Sequence, residues 1–496
     1  MNNTTADHVP PAARRYLAAA PRELLIDGRW QSARSGKSFD VIDPTSEQVI
    51  AAVALGDAFD IDLAVRAAHR AFESASWSAI SAHRRAKYLL DIADLIEANA
   101  DELGMLQSLE MGAVFPQART MVCMAADVFR YYAGWTTKIF GHTNPSDASV
   151  FNYTLREPLG VVAAIIPWNG PILAACWKLA PALACGNTVV MKPAEVAPLA
   201  VLRLAHLMQQ AGLPDGVINM VPGLGAGAGE ALIHHPLVAK LAFTGSTAVG
   251  KHLMEVAAGS MKKISLELGG KSPTIIFADA DLDQAAAMSA YGFAGNAGQM
   301  CVAGSRIFVQ DAIYDHFSAK LAAAVGALAT GSPFDANSAL GPLASRQQYE
   351  RVVGFLESAA SEGARLLTGG ATGRSGGGYF VAPTIYTDVR ANMRIVREEI
   401  FGPVAVLMRF TDESDAVFQG NDTEYGLSAT IWTRDLARAL RMGKALKAGT
   451  VWVNTMFNLD PASPFGGYKS SGTGRELGPE SIDNYTQTKS VYVSLT

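Results

Sequence analysis

A cysteine and a glutamate are the residues whose types and setting speak first of chemistry. Cys301 lies in Gly298-Gln299-Met300-Cys301-Val302-Ala303-Gly304, and Glu267 lies 34 positions earlier in Leu266-Glu267-Leu268-Gly269-Gly270-Lys271. A thiolate adds readily to a carbonyl carbon, and a carboxylate can take a proton from the water that later frees the product. A free thiol titrates at about 8.5, so Cys301 needs activation before it attacks quickly. The pair predicts covalent catalysis followed by hydrolysis.

Such groups work only on rigid elements, and the chain supplies a regular alternation of them. Strands are expected at Val161 to Ile166, Thr188 to Met191, Val217 to Val221 and Ala239 to Phe243. Between them the pattern reads as helix over Ile172 to Ala184, Leu199 to Gln210 and Ala228 to His234. A second alternation follows Gly269-Gly270: strand Thr274 to Phe277, helix Leu282 to Asn296, strand Ser305 to Val309, helix Ala312 to Thr330. Strand–helix alternation predicts an α/β fold with parallel sheets, and such sheets bind nucleotides at their carboxyl edge. The first 140 residues read as mostly helical after a hairpin near Leu24 to Trp30, and Gly369 to Gly378 reads as an exposed loop. Two isolated strands, Ser149 to Arg156 and Ser490 to Ser494, are expected to pair with each other or across a subunit boundary.

Composition narrows the class. The chain has 496 residues, 49% of them hydrophobic and 18% charged, with a formal net charge of −5. That suits two or three globular domains and offers no electrostatic pull towards nucleic acid or an anionic membrane. Four cysteines without CxxC spacing argue against a disulfide framework or a zinc site, so no metal is expected. Cys123, Cys176 and Cys185 sit in apolar helical stretches and read as small core hydrophobes. Met1 to Pro11 is polar and lacks the apolar core of a secretory signal, and Pro171 to Cys185 is too short to span a bilayer. The expectation is a soluble cytoplasmic protein.

Several segments suit a dinucleotide. Phe243-Thr244-Gly245-Ser246 through Gly250 follows a strand and opens a helix, whose free N–H groups suit a pyrophosphate. Gly223 to Gly229 resembles a phosphate-binding loop, a weak signal by itself. Lys192 and Glu195 end a strand where ribose hydroxyls would lie, and Glu195 would repel a 2′-phosphate. Asn169, in Pro167-Trp168-Asn169, is a neutral donor suited to an oxyanion, although by itself it reads more readily as a turn asparagine beside proline.

Together with Glu398-Glu399-Ile400-Phe401-Gly402-Pro403 and Pro464-Phe465-Gly466-Gly467, these motifs resemble the NAD(P)-dependent aldehyde dehydrogenase superfamily, from about Leu24 to Val493. The resemblance implies a Rossmann-type cofactor domain (1–138 and 158–267), an α/β catalytic domain (268–481) and a small β oligomerisation arm (139–157 and 482–496). It implies Cys301 as nucleophile, Glu267 as general base and Asn169 as oxyanion donor. It implies NAD contacts at Ile165, Trp168, Lys192, Glu195, Gly225, Gly229, Phe243, Gly245, Ser246, Val249, Leu268, Glu399 and Phe401. Lys178 and Glu476 match positions tied to a proton path, and a homotetramer or homodimer is implied.

The implied substrate wall comprises Met124, Gly170, Ala174, Trp177, Met300, Val302, Phe457, Leu459 and Phe465. Gly170 stands where relatives often carry phenylalanine, Ala174 where a bulkier residue is common, and Leu459 where an aromatic is common. The lost volume predicts a wide apolar tunnel for an aromatic or terpenoid aldehyde. Asp460 keeps a polar or cationic substrate open. A semialdehyde dehydrogenase would need a basic anchor that the proposed wall lacks, a betaine-aldehyde dehydrogenase would favour an aromatic cage, and a non-catalytic binding protein would not need the three reactive groups.

Overall fold

The computed structural model describes residues 9–373 and 377–496. Most of the polar Met1 to Pro11 segment, and Arg374, Ser375 and Gly376 of the expected glycine-rich loop, lie outside the described residues.

Two sheets carry the site. The first has eight strands in the spatial order Gly472–Thr473, Lys263–Glu267, Val238–Thr244, Val161–Ile165, Thr188–Lys192, Ile218–Met220, Leu24–Ile26 and Arg29–Gln31. Its five central strands are parallel, with antiparallel strands at both edges. Val161–Ile165 and Thr188–Lys192 are buried at every position, which is why they read as continuous apolar runs. The Pro171–Ala184 helix packs on one face through Ile172, Ala175 and Leu179, and the Thr247–Ser260 helix packs on the other through Leu253 and Ala257. The second sheet has seven strands in the order Arg365–Thr368, Thr384–Thr387, Val404–Phe410, Arg306–Gln310, Pro273–Ile276, Ser428–Trp432 and Thr450–Val453. All but the first run parallel. The α/β expectation therefore holds in both halves.

The two isolated strands do pair with each other. Val150–Pro158 runs antiparallel to Thr486–Ser494 along its whole length, with Thr143–Asn144 as a third strand. Phe151, Tyr492 and Val493 of this sheet are exposed.

Some expectations need correction. The first 140 residues hold a second hairpin, Ser38–Asp43 with Gln48–Ala54. Its turn is closed by Asp43, whose carboxylate accepts from the Thr45 N–H at 2.8 Å, and by Glu47 at φ 61°. The helix expected to reach Asn296 stops at Ala294, and the one expected over Ala312 to Thr330 covers only Tyr314–Gly326. Gly225–Gly229 forms a wide helical turn before the Glu230–His234 helix, because its glycines hold no side chains that would fix a tighter one. Cys176 and Cys185 are buried, whereas Cys123 is half-buried against the core. No helix among the described residues is long and apolar enough to cross a membrane.

Candidate active site

Cys301 follows the Leu282–Ala294 helix through a cramped turn in which Asn296 and Ala297 both take φ 53°. Gly298 sits at φ 71°, and a Cβ there would lie 2.1 Å from the Gly402 carbonyl, so only glycine fits. Side-chain amides hold the turn. Asn296 Nδ2 donates to the Asn169 carbonyl at 3.0 Å, and Gln299 Nε2 donates to the Asn296 carbonyl at 3.1 Å. Asn169 Nδ2 in turn donates to the Gln299 carbonyl at 2.8 Å. Asn169 thus comes to the cysteine loop from the end of the Val161–Ile165 strand, and its second amide hydrogen remains available.

Glu267 ends its strand and is 4% exposed. Among the described residues neither carboxylate oxygen has a hydrogen-bond partner. Burial and the neighbouring Glu476 hold its proton affinity well above the usual carboxylate range, against the pull of Lys178 and Arg475. Ionising a buried, unpartnered carboxylate costs on the order of a few kcal/mol, which favours its protonated form. Burial, Glu399 and Glu267 likewise push the Cys301 thiol up to about 12.

One cavity of about 1020 Å³ contains Cys301, Glu267 and Asn169, and its lining falls into two sets. The first carries the expected cofactor residues Gly245, Ser246, Leu268, Glu399 and Phe401, with Trp168 edge-on to Phe401 at 5.4 Å between ring centres. Glu399 accepts from the Gly270 N–H at 2.9 Å, and a Cβ on Gly269 would fall 2.2 Å from its carboxylate. Burial pushes Glu399 up to about 7. The second set is apolar and contains all of the expected wall: Met124, Gly170, Ala174, Trp177, Met300, Val302, Phe457, Leu459 and Phe465. Trp177 packs on Phe465 at 5.0 Å. A Cβ on Gly170 would meet only Met121 Sδ, at 3.9 Å, so this position leaves real space.

The remaining expected cofactor residues lie off this cavity. Ile165 and Phe243 are buried at strand ends, Val249 is exposed in the first turn of its helix, and Gly225 is exposed beside a buried Gly229. Lys192 is buried and donates to the Pro193 and Gly223 carbonyls at 2.9 and 2.8 Å, and to Glu195 at 3.4 Å. The sequence reading missed Met121, Leu173 and Tyr291 in the apolar wall and Gln348 and Arg351 in the polar one. Met121 and Leu173 were signalled by helical spacing to Met124 and Trp177. Gln348 and Arg351, on the Arg346–Ser361 helix, carry no local motif.

A dinucleotide fits these residues. The Thr247–Ser260 helix presents its N-terminus, with Ser246 as N-cap, to the polar end of the cavity. Side chains built at Gly225 or Gly227 would meet nothing, which leaves an open face beside Lys192. Among the described residues no group of three or more His, Cys, Asp or Glu is placed to hold a metal ion.

The model of the aldehyde dehydrogenase family matches residues 30–491. The chain belongs to the aldehyde dehydrogenase family. The enzyme is an oxidoreductase acting on aldehydes. It is 43% identical to cytosolic aldehyde dehydrogenase 1 of Rattus norvegicus over 498 residues, which cover 100% of this chain and 99% of the relative. The solved NAD+ complex of an aldehyde dehydrogenase from Bacillus cereus has a TM-score of 0.96 and 43% identity, covering 98% of the enzyme and 99% of that chain. Betaine aldehyde dehydrogenase from Staphylococcus aureus in complex with NAD+ also has a TM-score of 0.96, at 38% identity, covering 98% and 97%.

Proposed function

We propose that the enzyme oxidises a bulky apolar aldehyde, aromatic or terpenoid, to its carboxylic acid with NAD. The open apolar wall at Gly170 and Ala174, facing Cys301, carries the substrate reading. The wall contains no lysine or arginine. Arg351, the cationic side chain on the cavity, donates to the Glu399 carbonyl at the polar end. An anionic semialdehyde would find no partner beside the thiol. NAD is favoured over NADP because the half-exposed Glu195 carboxylate stands beside Lys192, where a 2′-phosphate would meet like charge.

Cys301 Sγ attacks the aldehyde carbon as its proton leaves to solvent water in the cavity. The free Asn169 amide hydrogen and the Cys301 backbone N–H stabilise the oxyanion that forms. Bound NAD supplies the acceptor for the hydride that departs the same carbon, and the acyl group stays on Sγ as a thioester. Glu267 then takes a proton from water, hydroxide attacks the thioester carbonyl, and the carbon–sulfur bond breaks. Sγ recovers a proton from the carboxylic acid. Lys178 and Glu476, an ion pair buried near Glu267, serve the proton that Glu267 must shed.

The reading divides the chain as 1–138 with 158–267 for the cofactor, 268–481 for catalysis, and 139–157 with 482–496 as an arm. The exposed apolar side chains of the arm support a homotetramer or homodimer, and four free thiols suit the cytoplasm. Initial rates on phenylacetaldehyde, a benzaldehyde, a terpenoid aldehyde, acetaldehyde, betaine aldehyde and succinic semialdehyde, each with NAD and NADP, test it. The highest kcat/KM is expected for a bulky aldehyde with NAD. A higher value for acetaldehyde or betaine aldehyde than for every bulky aldehyde would overturn it.

A further inference from the structure

The strands Val238–Thr244 and Lys263–Glu267 run in parallel register, pairing Lys240 with Lys263, Ala242 with Ser265 and Thr244 with Glu267. Alternate residues share a face, so Lys240, Thr244, Lys263 and Ser265 form a polar ladder, broken by Ala242, that ends at Glu267. Its face is the one the Pro171–Ala184 helix covers, since Lys178 Nζ reaches Thr244 Oγ1 at 2.6 Å. The opposite face of the same strands is apolar, with Leu241, Phe243 and Leu266 in one core with Leu253.

A buried polar face needs a reason, because apolar side chains of similar size would pack it at less cost. Among the ionisable groups here are Glu267 at 4% exposure, Glu476 at 3%, and Lys178 and Lys240 at 0%, with Arg475 and Tyr485 beside them. Lys178 pairs with Glu476. Among the described residues the second oxygen of Glu476 and both oxygens of Glu267 have no hydrogen-bond partner. Lys240 Nζ donates to Ser265 Oγ at 2.9 Å and lies 5.0 Å from the Tyr485 ring centre, with no carboxylate in contact among the described residues. Two carboxylates thus meet two lysines, with the Arg475 guanidinium also near Glu267, and among the described residues only the Lys178–Glu476 ion pair is formed. The uncommitted amine is Lys240 and the uncommitted carboxylate is Glu267.

We propose that Lys240, held by Ser265, is a positioning residue for hydrolysis: its ammonium balances the cluster when Glu267 ionises, and so sets the pH at which Glu267 activates water. The inference rests on Glu267 being the base. Each hydrolysis converts the thioester and one water into a carboxylate, the Cys301 thiol and one proton, and Glu267 holds that proton until it is shed. The groups facing Lys240 are Glu476 and Lys178 across the sheet face and Lys263 on the neighbouring strand. Those facing Glu267 are Glu476, Lys178, Arg475 and Cys301. Burial pulls Lys240 down to about 7, so it is charged below neutrality and loses that charge as pH rises.

Removing the charge makes the Glu267 carboxylate harder to form, so the acid limb of hydrolysis must move to higher pH. The test follows decay of the acyl-enzyme formed from a p-nitrophenyl ester, without cofactor, as a function of pH. K240M is expected to move the acid limb up by about one unit while leaving the rate of acylation unchanged. S265A, which strips the Lys240 ammonium of its hydrogen bond, is expected to move it the same way by less. A folded K240M whose limb stays put, even with a lower plateau, overturns the inference. Should K240M fail to fold, the direction of the S265A shift decides. An E267Q variant that still deacylates at the original rate would overturn the base assignment itself, a different failure.

Discussion

At one end of the cavity Glu399, Ser246 and a helix N-terminus face the space with charge and backbone N–H groups, whereas at the other end Met124, Trp177 and Phe465 face it with thioether and ring carbon. The polar end leaves no slack: a single Cβ on Gly269 would strike the Glu399 carboxylate. The apolar end has slack at Gly170. Hydrogen bonds to a cofactor demand fixed backbone geometry, while an apolar wall needs only the right volume, which neighbouring side chains can redistribute. Cys301 stands where the two ends meet, so substitutions there and on either side separate their contributions.

The largest effect is expected at the junction. Cys301→Ala removes the atom that receives the acyl group and should lower kcat for every aldehyde by on the order of 10⁴-fold. Binding of NAD, followed by quenching of tryptophan fluorescence, should survive. Loss of both would mean that the polar end is not independent. A smaller and selective effect is expected at the slack end. Gly170→Phe fills the space beside Met121 and should lower kcat/KM for phenylacetaldehyde by about tenfold or more, with acetaldehyde changed little. Equal losses for both aldehydes would show that Gly170 does not shape the wall.

The same contrast explains what the sequence disclosed. Glu267, Asn169, Cys301 and Glu399 sit in short glycine- or proline-marked segments whose backbone is constrained, and each constraint leaves a local trace. The parallel strands were legible because burial on both faces makes their apolar runs continuous. The Ser38–Ala54 hairpin was not, because Phe39 and Val41 alternate with polar residues over only a few positions. Gln348 and Arg351 reach the cavity from a helix far along the chain, so tertiary packing alone places them. Lys240 reads as an ordinary strand residue, and only strand register puts it on the face with Glu267.

Between hydride departure and hydrolysis, an acyl group rests on Cys301 and waits for Glu267. Intact-protein mass spectrometry of Glu267→Gln, incubated with NAD and phenylacetaldehyde, reads that state directly. The predicted result is one phenylacetyl group per chain, mapped to Cys301 by peptide digestion and absent when NAD is omitted. NADH formation with no adduct, or an adduct on another residue, would contradict the account.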